Sequence, residues 1–213
     1  EAEMAADPDP WQRLGPSARP AGPGWSVPLA LDEAGIAGIV QAFVDAAVRA
    51  DKAGCDVVEL HFGHGYLIAA FLSPLANQRQ DRWGGSLEGR MRLPLEVTRA
   101  MRAVWPAHKP LFARLSVVDG SIGGWSEHDS VRLAQALAAL GVDVVDCSSG
   151  GLTEETRALP VPRGLGFQVP FARQLRQQAG VRTQAVGMIV DPEQAEAVLA
   201  RGSADLVAIG REA

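Results

Sequence analysis

The sequence has 213 residues, of which 47% are hydrophobic and 21% charged, and its formal net charge is −5. There is enough apolar surface for a sizeable core, which excludes a largely disordered chain. A nucleic-acid or anionic-membrane partner is disfavoured, since the isoelectric point is about 5.4 and no basic run occurs. No stretch reaches the ~20 apolar residues of a membrane span, and no signal peptide opens the sequence. Two cysteines cannot form a disulfide framework, so we expect a cytoplasmic location.

The first 30 residues differ in composition from all that follow. Six prolines fall among glycines there without apolar periodicity, which predicts an irregular loop or arm over residues 1–30. From residue 31 the pattern becomes helical, because Ile36, Ile39, Val40 and Phe43 recur at helical spacing. Gly54 then predicts the end of that helix. Residues 31–213 are predicted to belong to one domain.

Five short apolar runs begin near residues 57, 111, 142, 182 and 205 and alternate with helical segments. Ser126 with Asp129, and Asp191 before a proline, predict two of the helix starts, and a further helix is expected over residues 169–179. This alternation predicts a parallel sheet, either open and doubly wound or closed as a (β/α)8 barrel. No Gly-x-Gly-x-x-Gly follows any run, which favours the barrel. A barrel has eight strands, so about three are expected outside this sequence, and both of its ends look cut.

A proline interrupts one predicted helix. Pro94 lies within the helical pattern of residues 87–104, after Ser86. Proline inside a helix removes a hydrogen bond and costs about 3 kcal/mol. We therefore expect either a kink or a late helix start.

Polar residues and glycines lie directly after the predicted strands, or for Arg114 within one, near the end where barrels place their chemistry. A purely structural sheet does not need them there. In chain order they are His61, His64 and Tyr66, then Arg114, then Ser148, Ser149, Gly150 and Gly151, then Gly187, and finally Gly210 and Arg211.

Three interpretations of the histidines remain open on spacing alone. His61 and His64 could be a metal pair, but Asp146 and Asp119 are the only further ligands at matching positions, which disfavours a metal site. They could be structural, satisfied by the backbone. They could also donate hydrogen bonds to a ligand oxygen, with Tyr66 beside them as a proton donor.

The glycines of the last two strands suggest an anion site. Gly187 and Gly210 would let backbone amides approach a phosphate, and Arg211 would add a charged donor. Barrels commonly bind phosphate after their last two strands. The alternative is that these glycines only make turns.

Longer motifs resemble one family. The stretches His61-Phe62-Gly63-His64-Gly65-Tyr66-Leu67 and Phe71-Leu72-Ser73-Pro74 lead into Asn77-Gln78-Arg79-x-Asp81-x-Trp83-Gly84-Gly85-Ser86-Leu87-Glu88-x-Arg90. Arg114-Leu115-Ser116, the Ser-Ser-Gly-Gly turn and Ala185-Val186-Gly187-Met188-Ile189 continue the match in order. The sequence resembles the old yellow enzyme family of flavin-dependent ene-reductases, in its bacterial thermophilic-type branch. Residues 77–90 are the most specific part.

This resemblance implies a fold and a set of roles. The family fold is a (β/α)8 barrel, of which this sequence would supply about strands 4–8, with FMN bound noncovalently. His61 and His64 would hold the substrate oxygen, with Tyr66 binding substrate or delivering a proton. Arg114 would lie at the flavin N1–O2 edge, while Ser149 or Gly150 would lie near the ribityl chain and Gly187, Gly210 and Arg211 would bind the phosphate. Phe62 replaces a usually small residue, so we expect it to narrow the substrate pocket.

The implied reaction is the reduction of activated alkenes. NADPH or NADH would reduce FMN, and an α,β-unsaturated carbonyl or nitro-type compound would then accept the hydride; family members are often dimers or tetramers. One alternative is a non-catalytic flavin- or phosphate-binding remnant of such a barrel. Another is a phosphate-binding lyase or isomerase with histidine acid–base chemistry, against which the segment 77–90 argues.

Overall fold

The computed structural model describes residues 11–152 and 164–210, and within these ranges helices alternate with strands. The strands are β1 (Leu14–Gly15), β2 (Leu29–Ala30), β3 (Val58–Phe62), β4 (Leu111–Ser116), β5 (Val144–Ser148), β6 (Thr183–Ala185) and β7 (Leu206–Val207). The helices are α1 (Glu33–Lys52), α2 (Leu67–Leu72), α3 (Leu87–Val104), α4 (Glu127–Ala139), α5 (Val169–Ala179) and α6 (Pro192–Ala200). None of the helices in the described ranges is long and apolar enough to cross a membrane.

Strands β3 to β7 form one sheet in which every neighbouring pair is parallel. Their order across the sheet is their order along the chain. A doubly wound sheet reverses its strand order at a switch point, whereas each barrel strand lies beside its neighbour in sequence. The order observed here is that of a barrel segment, and all five predicted strands are confirmed.

Side-chain caps mark the starts of α1, α4 and α6, and the sequence predicted two of them, at Ser126 and Asp191. Asp32 Oδ1 accepts a hydrogen bond from the Gly35 amide at 2.7 Å before α1. Ser126 and Asp129 form a reciprocal capping box before α4. Asp191 Oδ1 accepts from the Gln194 amide at 2.6 Å before α6, which has proline in its first turn. These bonds satisfy amides that have no partner within the helix.

Helix α3 does not start late, so of the two outcomes expected for Pro94 the late start is wrong. The helix begins at Leu87, and Ser86 Oγ accepts from the Gly89 amide at 3.1 Å. Pro94 lies inside the helix among buried residues that include Leu93 and Val97. Burial of this apolar face offsets the hydrogen bond that the proline removes.

The described part of the N-terminal arm contains a structured pair that composition did not predict. Leu14 and Gly15 pair in parallel with Leu29 and Ala30. Arg79 holds this region, because its Nη1 donates to Pro16 O at 3.0 Å and to Leu31 O at 2.6 Å. Two-residue strands carry no periodicity, which is why the pattern missed them.

The segment 77–90 is structural in this fold. Asn77 Nδ2 donates to Phe71 O at 2.7 Å and to Trp83 O at 2.8 Å. Trp83 Nε1 donates to Glu33 Oε1 at 2.8 Å, which links this loop to α1. The motif most specific to the family therefore shapes the loop between α2 and α3.

The two faces of β3 have different environments because side chains alternate along a strand. Leu60 and Phe62 are buried, and the Phe62 ring packs edge-to-face against Phe43 of α1, with centroids 6.5 Å apart. Phe62 thus points toward the helices. The prediction that it narrows the substrate pocket is wrong, since Glu59 and His61 occupy the opposite face.

A row of polar residues crosses that opposite face. His61 pairs in register with Arg114, Arg114 with Asp146, and Asp146 with Gln184. Residues in register on parallel neighbours project from the same side of the sheet. The fold therefore collects one polar side chain from each of four strands.

Candidate active site

A strained turn after β3 carries the second histidine. His64 has a φ of 60°, which is uncommon for a non-glycine residue, and the Gly65 φ is 74°. The His64 amide donates to Ser116 Oγ at 2.8 Å. A Cβ on Gly65 would overlap the carbonyl of Gly151, so this turn lies tightly against the loop after β5. That close approach places His64 beside the Ser-Ser-Gly-Gly turn.

The close approach of Gly65 to Gly151 leads to a prediction about stability. We expect Gly65→Ala to reduce the free energy of unfolding by about 2 kcal/mol or more, because it adds both a left-handed alanine and a backbone overlap. Gly38→Ala is the control, since Gly38 lies exposed in α1 with nothing within 4 Å of an added Cβ. That change should stabilise by about 0.5–1 kcal/mol through helix propensity. Equal effects in urea unfolding would contradict the assignment of this turn.

Hydrogen bonds join the two histidines to each other and His64 to the last residue of β5. His64 Nδ1 lies 3.3 Å from His61 Nε2, and His64 Nε2 lies 2.6 Å from Ser148 Oγ. Gln168 Nε2 donates to Ser148 Oγ at 3.2 Å and to Ser149 Oγ at 2.8 Å. Both ring nitrogens of His64 are therefore engaged, and a ligand oxygen must displace one contact to reach this ring.

Both histidines are neutral near pH 7. Burial, followed by the positive charge of Arg114, lowers the pKa of His64 to about 4. The same two causes lower the pKa of His61. A neutral imidazole has one donor and one acceptor nitrogen. The pair can therefore offer hydrogen bonds to a ligand oxygen without carrying a net charge.

The lowered pKa of His64 predicts a pH dependence of stability. The pKa is 6.5 in the unfolded chain and about 4 when folded, so protonation between these values favours unfolding. The stabilising contribution of the neutral ring is complete above the higher value and is lost as pH falls toward the lower. We expect the free energy of unfolding to fall less steeply through this window in His64→Gln than in the unmodified protein. Parallel slopes in urea titrations would contradict this, and His128→Gln at an exposed position is the control.

Tyr66 lies beside His61, with ring centroids 5.4 Å apart. It occupies the N-cap position of α2, and 65% of its surface is exposed. An exposed phenol next to the histidine pair can reach a ligand bound over this face. The structure thus brings together His61, His64 and Tyr66, as the sequence predicted.

Arg114 lies between His61 and Asp146 in the polar row. Its Nε is 3.6 Å from Asp146 Oδ2, and its side chain is 31% exposed. That Nε is buried and has no hydrogen-bond acceptor among the described residues. Guanidinium remains charged at all ordinary pH values. Arg114 therefore presents a positive charge with unused donor capacity on the same face as the histidines.

Gln168 lies next to two of the predicted cofactor-binding positions, Ser149 and Gly187. Gly187, with a φ of 106°, follows β6, and a Cβ there would lie 2.7 Å from Gln168 Oε1. The Gly150 amide donates to Val118 O at 2.8 Å. Gly210 follows β7, is exposed, and would have open space around a Cβ. Arg211 lies outside the described residues.

Sequence reasoning missed Gln168, Gln184 and Glu59 as members of this region. Gln168 was detectable only as the residue before the predicted helix 169–179, and it occupies the N-cap position of α5. Gln184 and Glu59 lie within strands, where only the register shows that they share the polar face.

The positions once considered for metal ligands have other partners. Asp146 faces Arg114 and Gln184. Asp119 Oδ2 accepts from Ser73 Oγ at 2.5 Å and from the Trp125 amide at 2.7 Å, which organises the loop after β4. Within residues 11–152 and 164–210, no cluster of three or more histidine, cysteine or carboxylate side chains could hold a metal.

The polar face fits a flavin mononucleotide. The Arg114 guanidinium, which is ion-paired with Asp146 and only partly buried, suits the electron-rich edge of the ring, where negative charge develops on reduction. Gly210 leaves backbone accessible at the end of β7, as phosphate binding requires, whereas the side chains of Phe167 and Gln168 lie against Gly187 at the end of β6.

Comparison with known proteins gives the same assignment. The model of the NADH:flavin oxidoreductase / NADH oxidase family matches residues 6–213. The chain is 46% identical over 203 residues to an NADPH dehydrogenase of Geobacillus thermodenitrificans (strain NG80-2), covering 95% of this chain and 58% of that protein. It is also 46% identical over 174 residues to an NADPH dehydrogenase of Bacillus subtilis (strain 168), covering 81% and 49%. The chain thus spans about half the length of these curated relatives.

Solved structures share the fold. Morphinone reductase in complex with tetrahydroNAD superposes with a TM-score of 0.77 at 30% identity, over 98% of this chain and 58% of that one. A 2-naphthoyl-CoA reductase complex gives 0.84 at 26% identity, over 92% and 30%. The old yellow enzyme homologue of Zymomonas mobilis gives 0.75 at 26% identity, over 94% and 57%. With the strand order, these matches confirm a partial (β/α)8 barrel, and the chain belongs to the NADH:flavin oxidoreductase / NADH oxidase family, that of the old yellow enzymes.

Proposed function

We propose that the protein is an FMN-dependent NAD(P)H oxidoreductase that reduces activated C=C bonds of α,β-unsaturated carbonyl compounds. The observation that carries this proposal is the arrangement of a neutral histidine pair beside a half-buried arginine on one face of the sheet. Donors for a substrate oxygen and a charge for the reduced flavin are the two groups this reaction needs.

The residues that would hold the cofactor come from four strand ends. Arg114 would meet the pyrimidine edge of the flavin, and Ser149 or Gly150 would approach the ribityl chain. Gly187 and Gly210 would receive the phosphate, together with Arg211. When bound, FMN supplies a hydride carrier that links NADPH or NADH to the alkene.

The histidines would act on the substrate oxygen. Each neutral imidazole can donate one hydrogen bond, and two such donors stabilise the charge that collects on a carbonyl or nitro oxygen as the alkene is reduced. For His64 this requires release of Ser148 or of His61, whose contacts are 2.6 and 3.3 Å. Tyr66, exposed beside His61, would supply the proton to the α-carbon.

Turnover separates this proposal from its alternatives. We expect the purified protein to retain a yellow, noncovalent flavin and to oxidise NADPH when cyclohexenone is added, with cyclohexanone as product. A remnant would hold flavin without turnover, and an isomerase or lyase would hold none. A cytoplasmic location belongs to the same proposal, and the free thiols of Cys55 and Cys147 support it.

A further inference from the structure

A second carboxyl group, that of Glu59, lies on the same face of the sheet as Asp146 of the polar row. Glu59 lies on β3 two positions before His61, on the same face of the strand. The register places Asp146 of β5 on this face as well, since Glu59 is aligned with Phe112 and Asp146 with Arg114 of the strand between them. A side-chain hydrogen bond between the two carboxyl groups contributes to the pKa of each. Two carboxylates in contact repel each other, so such pairs commonly retain one proton between them.

Asp146 needs a donor that the other residues do not supply. The residue is 2% exposed, and its Oδ2 accepts from Gln184 Nε2 at 2.9 Å. Its Oδ1 is buried and has no hydrogen-bond partner among the described residues. A buried acceptor without a hydrogen-bond donor destabilises the folded state. A protonated Glu59 carboxyl is the group in reach that can donate to Asp146.

The local charges also favour one retained proton. The titratable groups that face this pair from the neighbouring strands are His61 on β3 and Arg114 on β4, and β6 contributes the neutral Gln184. His61 is neutral near pH 7, so one cation faces two acids. Glu59 is exposed when its whole surface is counted, but its carboxyl group is partly desolvated. This desolvation, followed by the charge of Asp146, raises the pKa of Glu59 to about 7.

We propose that Glu59 is a positioning residue, whose protonated carboxyl donates to Asp146 and so fixes the carboxylate that orients Arg114. The effect on the flavin rests on the proposed function, because it requires Arg114 to lie at the flavin edge. The protonation of Glu59 itself does not depend on the cofactor. When Glu59 loses its proton or its carboxyl, the unpaired Asp146 oxygen competes for the Arg114 guanidinium.

Infrared spectroscopy tests the proton directly. At about one pH unit below the Glu59 pKa of about 7, we expect a carboxylic-acid carbonyl band that Glu59→Gln removes. The band should also disappear from the unmodified protein about two pH units above that value. Glu193→Gln, the same substitution at an exposed position in the first turn of α6, should leave the band in place. If Glu59→Gln removes no acid band, the proposal is overturned.

The flavin midpoint potential of the holoenzyme tests the link to Arg114. Glu59→Gln keeps a donor to Asp146 and should keep the potential measured at low pH, while removing the additional fall that the unmodified protein shows above neutral pH. Glu59→Ala removes the donor and should lower the potential below neutral pH, where Glu59 of the unmodified protein keeps its proton. A potential in Glu59→Ala equal to that of the unmodified protein in this acidic range would overturn the positioning role. If Arg114→Leu also left the potential unchanged, the proposed place of Arg114 at the flavin would be what had failed.

Discussion

Replacing both His61 and His64 with alanine should slow alkene reduction by more than about 10²–10³-fold, the loss expected for one donor of this kind. Reduction of the bound flavin by NADPH should change far less, because the nicotinamide can still stack on the flavin and its hydride transfer places no new charge on an oxygen next to the histidines. Stopped-flow measurements of the two half-reactions under anaerobic conditions separate these effects. The chain offers a matched control in His108→Ala/His128→Ala, which removes two exposed histidines.

Ligand binding gives a second readout for the same pair. A phenolate oxygen resembles the charged oxygen that forms on the substrate, and a phenolate stacked on FMN produces a long-wavelength charge-transfer band. We expect p-hydroxybenzaldehyde to give this band with the unmodified protein and with the His108/His128 control. If the His61/His64 variant gave the same band with the same affinity, the histidines would not hold the substrate oxygen, and their structural interpretation would be correct.

Arg114→Leu should leave FMN bound but slow its reduction by NADPH and lower its midpoint potential. The neutral side chain no longer offsets the negative charge that develops at the N1–O2 edge. Arg114→Lys retains a charge on a flexible stem and should recover part of the loss. An unchanged reductive half-reaction in Arg114→Leu would contradict the assignment.

Arg114→Leu also has a structural consequence that must be measured separately. Asp146 is 2% exposed, and Arg114 is its ion-pair partner at 3.6 Å. Removing one member of a buried pair leaves an uncompensated charge and destabilises the fold. Thermal unfolding of the Leu and Lys variants distinguishes this loss from the effect on the flavin.

The sequence predicted those parts of the fold that local signals encode. The caps at Ser126 and Asp191 predicted two helix starts, and short β-branched runs predicted the strands. Helix α2 has only six residues, too few for a helical period, and it was missed. The expected late start at Pro94 did not occur, because burial of the apolar face of α3 stabilises the helix on both sides of the proline.

The sequence identified two members of the polar row but missed others. His61 was found because it directly follows an apolar run, and Arg114 because it is a charged residue inside one. Glu59 and Gln184 became visible only through the register, which depends on contacts between residues far apart in sequence. The error at Phe62 was avoidable, because alternation along β3 already places it opposite His61.

An anaerobic two-step experiment tests the central claim most directly. The purified holoenzyme is titrated with NADPH until its flavin absorption is bleached, and cyclohexenone is then added without oxygen. We predict that the flavin spectrum returns and that saturated ketone forms in proportion to the flavin reoxidised. Flavin that stays reduced after the enone is added, while oxygen restores its colour, would contradict the account.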